Sequence, residues 1–162
     1  MTTTAVPTTM AAWQSDAPGV SGLARTTLPV PHPRPNELLV RVDAAALNFS
    51  DLLMLDDAYQ VRPVRPFVPG QEIAGTVMAA GAEAGLAVGT PVAGKVVWGG
   101  FAEYALMRAD MAIPMPKGTD PATAAALPIS YTTAMVALTE ATVVAPGETV
   151  LVLAAAGGVG LA

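Results

Sequence analysis

One stretch has residue types and spacing that point to chemistry unaided: Ala154-x-x-Gly157-x-x-Gly160. It follows an apolar, β-prone run at residues 149–153. A strand running into a glycine-rich turn and then a helix is how a dinucleotide-binding unit begins, and this is a variant of G-x-G-x-x-G with alanine in the first place. The glycines allow a tight turn and let the backbone approach a pyrophosphate, whose charge rests on the N–H groups at the helix start. The same residues also read as a plain glycine turn after a buried strand.

Other chemistries are removed by what is missing. The chain has no cysteine and one histidine, His32, which excludes disulfides, thiol catalysis, Cys-x-x-Cys metal sites and histidine clusters. His32 lies in Leu28-Pro29-Val30-Pro31-His32-Pro33-Arg34-Pro35, an alternating proline stretch expected to be an extended connector. A solvated loop histidine is the expectation there, since no orienting partner is evident. Eight Lys+Arg stand against 13 Asp+Glu, a formal charge of -5, with no basic cluster. Nucleic acid and anionic membranes are therefore not expected as partners. Residues 1–10 lack the basic n-region of a signal peptide, and the uncharged run 149–162 is too short and too glycine-broken to span a bilayer. A soluble, cytoplasmic chain is expected.

These candidates must be carried by a folded body. With 52% hydrophobic and 13% charged residues and a mean hydropathy of +0.50, the 162 residues can build one core. Residues 1–9 read as a disordered leader, and residues 11–13 open a first strand. Residues 37–44 alternate apolar and polar as a half-buried strand does. A turn at 48–51 follows, with Ser50 placed to cap a short helix through Leu55. Residues 72–79 read as a strand in which Gly75 marks a bulge or a close backbone approach. Further short strands are expected at 96–98, 101–106 and 111–113, with Gly99-Gly100 as a hairpin turn. Many short strands with Gly and Pro turns suggest a small barrel. After Asp120-Pro121, an N-cap followed by a first helical proline, helices are expected at 122–127 and 130–139. Pro146-Gly147 then separates them from the strand before the glycine loop. The expected division is a barrel-like domain over 10–119, connecting helices over 120–146, and the start of a dinucleotide-binding domain over 147–162. A βαβ unit takes about 30 or more residues, so that last domain is expected to be truncated and the isolated chain to bind a dinucleotide poorly.

Taken in order, several segments carry a family resemblance. They are Asp43-Ala44-Ala45-Ala46-Leu47-Asn48-Phe49-Ser50-Asp51, Pro69-Gly70-Gln71-Glu72-Ile73-Ala74-Gly75-Thr76-Val77, and Gly100-Phe101-Ala102-Glu103-Tyr104. Ala126-Leu127-Pro128 with Thr133-Ala134, and Pro146-Gly147-Glu148 leading to Gly157-Gly158-Val159-Gly160, complete the set. The chain resembles the N-terminal half of the medium-chain dehydrogenase/reductase superfamily, in its zinc-free quinone oxidoreductase branch. It is also similar to the enoyl reductase domains of polyketide synthases. The resemblance implies a mainly β chain with helices: a GroES-like, partly open β-barrel followed by the first strand and Gly loop of a truncated Rossmann domain.

The resemblance also implies an activity, hydride transfer from NADPH (or NADH) to a small-molecule quinone or enone. Asn48 and Tyr59 match the family's active-site donors, which polarise the carbonyl oxygen as it gains charge. Apart from the resemblance, Asn48 reads as a turn residue and Tyr59 as a half-buried loop aromatic. Asp51 is expected to fix the Asn48 turn. Thr133 matches a threonine beside the nicotinamide, and Ala154, Gly157, Gly158, Val159 and Gly160 match the cofactor loop. The zinc-dependent alcohol dehydrogenases of the superfamily have cysteine where Asn48 stands and histidine where Gln71 stands, so no zinc is implied. Asp57 stands where glycine is usual. An uncovered apolar strand is an association hazard, so a homodimer or a complementing second chain is expected. Two other functions remain open: a stand-alone GroES-like domain catalysing a redox-neutral isomerisation or cyclisation with Tyr59 and Asn48, and a non-catalytic binding module.

Overall fold

The computed structural model describes residues 5–162, so the first four residues of the expected leader lie outside the described residues. Pairing begins with a hairpin of β1 (Thr9–Ser15) and β2 (Leu23–Pro29), with Thr9 opposite Pro29. Leu28 and Pro29, expected in the proline connector, thus close a strand before the prolines take over.

The main sheet has five strands: β3 (Glu37–Ala46), β4 (Glu72–Ala80), β5 (Pro91–Lys95), β6 (Tyr104–Arg108) and β7 (Ala112–Pro114). Their order is β6-β3-β4-β5-β7, antiparallel throughout. Alternation along β3 explains why this sheet has a core on each face. Leu38 and Val40 point to one side, where they are buried with Ile73, Val77, Val92 and Met107. Leu39 points to the other and is buried with Met10, Val30 and Tyr104 beneath the hairpin. The hairpin is tied to the sheet through Trp13 N–H to the Phe101 carbonyl (2.9 Å) and Glu103 N–H to the Ala11 carbonyl (3.0 Å). The two sheets stay separate, which makes the barrel open rather than closed.

Gly75 is the close approach expected of it. A Cβ there would sit 1.9 Å from the Arg41 carbonyl oxygen, beside a register shift between Val42 and Ala44. Residues 96–98, in contrast, form no strand; β5 comes before them. Gly99 and Gly100 make no hairpin turn either, because their N–H groups bond the Val68 and Gly70 carbonyls at 2.8 and 3.0 Å. That loop-to-loop pairing is long-range and leaves no local mark in the sequence.

Four α-helices complete the described residues: α1 (Phe49–Leu55), α2 (Pro121–Ala125), α3 (Pro128–Thr139) and α4 (Gly158–Leu161). α2 begins as expected: Asp120 Oδ2 accepts the Thr123 N–H at 2.8 Å and its hydroxyl at 2.9 Å. Its Ala124 and Ala125 are buried against Ala74 and Ala93, small residues that let the helix lie close on the sheet. α3 starts at Pro128, two residues ahead of its expected start, and buries no side chain completely. Residues 149–153 hold no strand. β-propensity describes fit to a neighbouring strand, and none lies beside this run. Among the described residues no helix is long and apolar enough to cross a membrane.

Candidate active site

The site is built where β3 hands over to α1. Asn48 is the N-cap of α1, in extended conformation. Its backbone N–H donates to Asp51 Oδ2 at 2.8 Å, and the Asp51 N–H returns to the Asn48 carbonyl at 3.0 Å. Asn48, not Ser50, is therefore the cap. Ser50 lies inside the helix, and its hydroxyl donates to Gln71 Oε1 across to the start of β4. Asp51 does fix the turn, as expected.

Two carboxyls are buried here. Burial pushes the Asp51 carboxyl above its usual range; the bond from Asn48 partly offsets this, and the nearby charge of Glu72 adds to it. Asp51 Oδ1 has no hydrogen-bond partner among the described residues. Glu72 is 1% exposed. Its Oε2 accepts Asn48 Nδ2–H at 2.9 Å, and its Oε1 accepts the Ile129 backbone N–H at 2.6 Å. A carboxylate only accepts, so this contact fixes which end of the Asn48 amide faces it. Beside Asn48 opens an apolar hollow of about 370 Å³, walled by Leu47, Phe49, Leu52, Leu55 and Phe101. Leu47 and Phe49 are 83% and 74% exposed on its lip. A neutral amide donor at an apolar surface suits a carbonyl compound better than a charged one.

Tyr59 is held separately. α1 ends in a Schellman turn: Ala58 N–H bonds the Leu53 carbonyl at 2.8 Å and Asp57 N–H the Met54 carbonyl at 3.3 Å. Asp57 has φ 56°, the left-handed conformation that favours glycine. An aspartate is retained there in a 2.6 Å ion pair with Arg65, whose guanidinium also donates to the Leu55 carbonyl at 2.6 Å and lies 5.6 Å from the Phe67 ring centre. This clasp holds the loop carrying Tyr59, whose ring packs half-buried on Met54, Leu55 and Phe67. Tyr59 does not line the hollow beside Asn48. Arg65 was not singled out from sequence; its only signal there is a cation in a proline-punctuated loop, eight residues from the acid it pairs.

The glycine loop is a compact turn. Ala154 has φ 51°, Gly157 N–H bonds its carbonyl at 2.9 Å, and α4 follows at once. A Cβ on Gly160 would come 2.4 Å from the Ala154 oxygen, and one on Gly158 2.8 Å from the Ser130 hydroxyl. The loop thus rests on the first turn of α3, the turn whose Ile129 N–H reaches Glu72. Thr133, one turn on, is exposed, as is Val159. The structure therefore links Asn48 to the loop through Glu72 and α3, and leaves Tyr59 outside that chain of contacts. His32 is exposed in its loop, as expected.

Comparison with known proteins places the fold in a family. Residues 34–117 match the alcohol dehydrogenase GroES-like domain family. "Quinone oxidoreductase-like protein 2" of Bos taurus is 40% identical over 130 residues, covering 80% of this chain and 37% of that protein. Among solved structures, the human synaptic vesicle membrane protein VAT-1 homolog-like protein superposes with a TM-score of 0.90 at 33% identity, over 94% of this chain and 50% of that one. The quinone oxidoreductase of Thermus thermophilus, solved also as its NADPH complex, superposes with a TM-score of 0.80 at 39% identity, over 94% and 48%. The chain thus spans about half the length of these structures and less of the curated relative. It belongs to the medium-chain dehydrogenase/reductase superfamily, of which it carries the alcohol dehydrogenase GroES-like domain.

Proposed function

We propose that this chain forms the substrate side of an NAD(P)H-dependent, zinc-free reductase acting on quinones or enones in the cytoplasm. The observation that carries the reading is the Asn48 amide, fixed by Glu72 beside an apolar hollow. With one Nδ2–H committed to the carboxylate, the other is the donor left for a substrate oxygen. A preorganised neutral donor of this kind stabilises negative charge as it develops on that oxygen. Tyr59 is the proposed second donor, brought in from the loop clasped by Asp57 and Arg65.

The nicotinamide cofactor would supply the hydride. The residues present suit its pyrophosphate: Gly160 stands where a Cβ would collide with the Ala154 carbonyl, so the backbone stays bare and close. Ala154, Gly157, Gly158 and Val159 would form the rest of that contact, with Thr133 at the nicotinamide side. The residues do not suit zinc. Asn48 is bonded to Glu72 and Gln71 to Ser50, and among the described residues no three of His, Cys, Asp and Glu gather to hold a metal.

The exposed apolar residues of α3 and of 149–153 support completion by a second copy or a complementing chain. The test is calorimetric titration of each gel-filtration fraction with NADPH, followed by NADPH oxidation with a quinone and an enone. The expected result is micromolar binding and turnover in an associated fraction, with turnover lowered about 10²–10³-fold by Asn48→Ala. Neither binding nor turnover in any fraction would overturn the reading and favour a redox-neutral domain.

A further inference from the structure

We infer that Glu72 is the positioning residue of this site: its carboxylate holds the Asn48 amide with one oxygen and the first turn of α3 with the other, so the seating of α3 sets the donor's direction. Three observations carry this. Glu72 is almost wholly buried, yet among the described residues no lysine or arginine is paired with it. A buried carboxylate without a cation is expensive to keep, and an apolar side chain would serve packing alone better. Its two oxygens each take one N–H, from Asn48 Nδ2 and from Ile129. Only a carboxylate accepts at both ends; glutamine would offer one acceptor and present a donor to the other N–H.

The third observation is where the far bond leads. Ile129 is the second residue of a twelve-residue helix, and its N–H is among those a helix start leaves without an internal partner. Ser130, its neighbour, lies against Gly158 of the glycine loop. Asn48, Glu72, Ile129–Ser130 and the loop therefore form one run of contacts from substrate side to cofactor side. The terminal amide torsion of asparagine is broad and holds no single angle by itself. Glu72 supplies that angle, and ties it to whatever seats α3. The catalytic consequence rests on the reductase reading: Glu72→Gln would lower kcat by tenfold or more with KM little changed. The link itself does not depend on that reading.

The test reads the link without turnover. In the 15N-labelled chain, the Asn48 side-chain amide is identified by its loss in Asn48→Ala. Its two protons are expected to be widely separated, one shifted downfield by the carboxylate, and the Ile129 amide to exchange slowly with deuterium. Glu72→Gln should narrow that separation or speed Ile129 exchange at least tenfold. Ile129→Pro, in the helix's first turn, deletes the far N–H together with the isoleucine side chain, so Ile129→Ala is its control: the proline variant should still move the Asn48 protons and the alanine variant should not. An Asn48 amide unmoved in Ile129→Pro, with β3 and β4 amides native, overturns the link. Should Glu72→Gln fail to fold, Ile129→Pro decides alone. A chain that passes yet oxidises no NADPH in any gel-filtration fraction, associated ones included, sinks the reductase reading and leaves the link standing.

Discussion

The chain up to α2 and the chain from α3 onward are both rich in apolar residues, and they use them oppositely. In the first region β3, β4, β5 and β6 each bury side chains against a core, and residues such as Leu38, Ile73 and Met107 are closed to solvent. In the second, α3 buries no residue, Met135 is 67% exposed, and Leu151 is 83% exposed. Residues 128–162 carry only two charges, Glu140 and Glu148. α3 itself carries no charged residue on any face, so no side of it demands water. Hydrophobicity specifies that a surface is to be covered; the covering surface has to come from elsewhere.

The largest expected effect tests that contrast directly. Ile73→Ala removes a side chain from the centre of the sheet core and should lower stability by about 2–5 kcal/mol in urea unfolding. Leu151→Ala removes a side chain of similar size from an exposed run and should change stability by less than about 0.5 kcal/mol. Equal losses at the two positions would break the comparison, showing residues 149–153 buried in solution. A loss at Leu151 that grows with protein concentration would identify the cover as a second copy.

What the sequence disclosed divides along similar lines. β3, β4 and the Asp120 cap were legible because their signals are local: period-two alternation, and an acid ahead of a proline. Gly75 was legible because a glycine inside a strand has few physical reasons to be there. β5 was misplaced to 96–98, since Val96-Val97-Trp98 has the right propensity while the ladder falls on Pro91–Lys95. The run 149–153 went wrong the same way, as propensity without a partner strand. At the candidate site, Asn48 and Tyr59 are singled out only by the family resemblance, and the structure sets Tyr59 apart from the hollow beside Asn48. Glu72, which holds the Asn48 amide, lies 24 residues from it, and Arg65, which clasps Asp57 in the loop before Tyr59, lies eight residues from Asp57; nothing in the intervening sequence marks either contact.

Backbone conformation gives a second, smaller contrast. Gly75→Ala would put a methyl 1.9 Å from a carbonyl of the neighbouring strand. Neither strand can yield without parting the ladder, so a loss of about 1–3 kcal/mol is expected. Ala154→Gly should act in the other sense. Its φ of 51° disfavours any side chain by roughly 1–2 kcal/mol, of which the flexibility of glycine returns about 0.5–1. The gain is local, so it should appear as slower deuterium exchange at the Gly157 N–H that bonds the Ala154 carbonyl, with the urea midpoint unmoved. A shifted midpoint would mean that the loop unfolds together with the barrel.

The smallest expected effect tests where the buried region ends, using two carboxylates at two helix starts. The buried Asp51 binds its proton more readily folded than unfolded, because burial raises its carboxyl above the unfolded value near 3.8. Its contribution therefore favours the fold as pH falls through that raised value and opposes it at neutral pH. The Asp120 carboxyl, held low by the Thr123 N–H and hydroxyl, has the opposite sign. Its contribution is present above about pH 4 and is lost as pH falls through its lowered value. Asp51→Asn and Asp120→Asn each keep an acceptor oxygen and remove the charge. Urea midpoints between pH 3 and 6 should show the wild type gaining less than Asp51→Asn as pH rises through the window above 3.8. Asp120→Asn should lose the acid-side decline below it, and only at low salt, since that group is exposed and screened. If both variants bend the profile in the same direction, Asp51 is solvated, and the closed polar cluster beneath Asn48 is not closed.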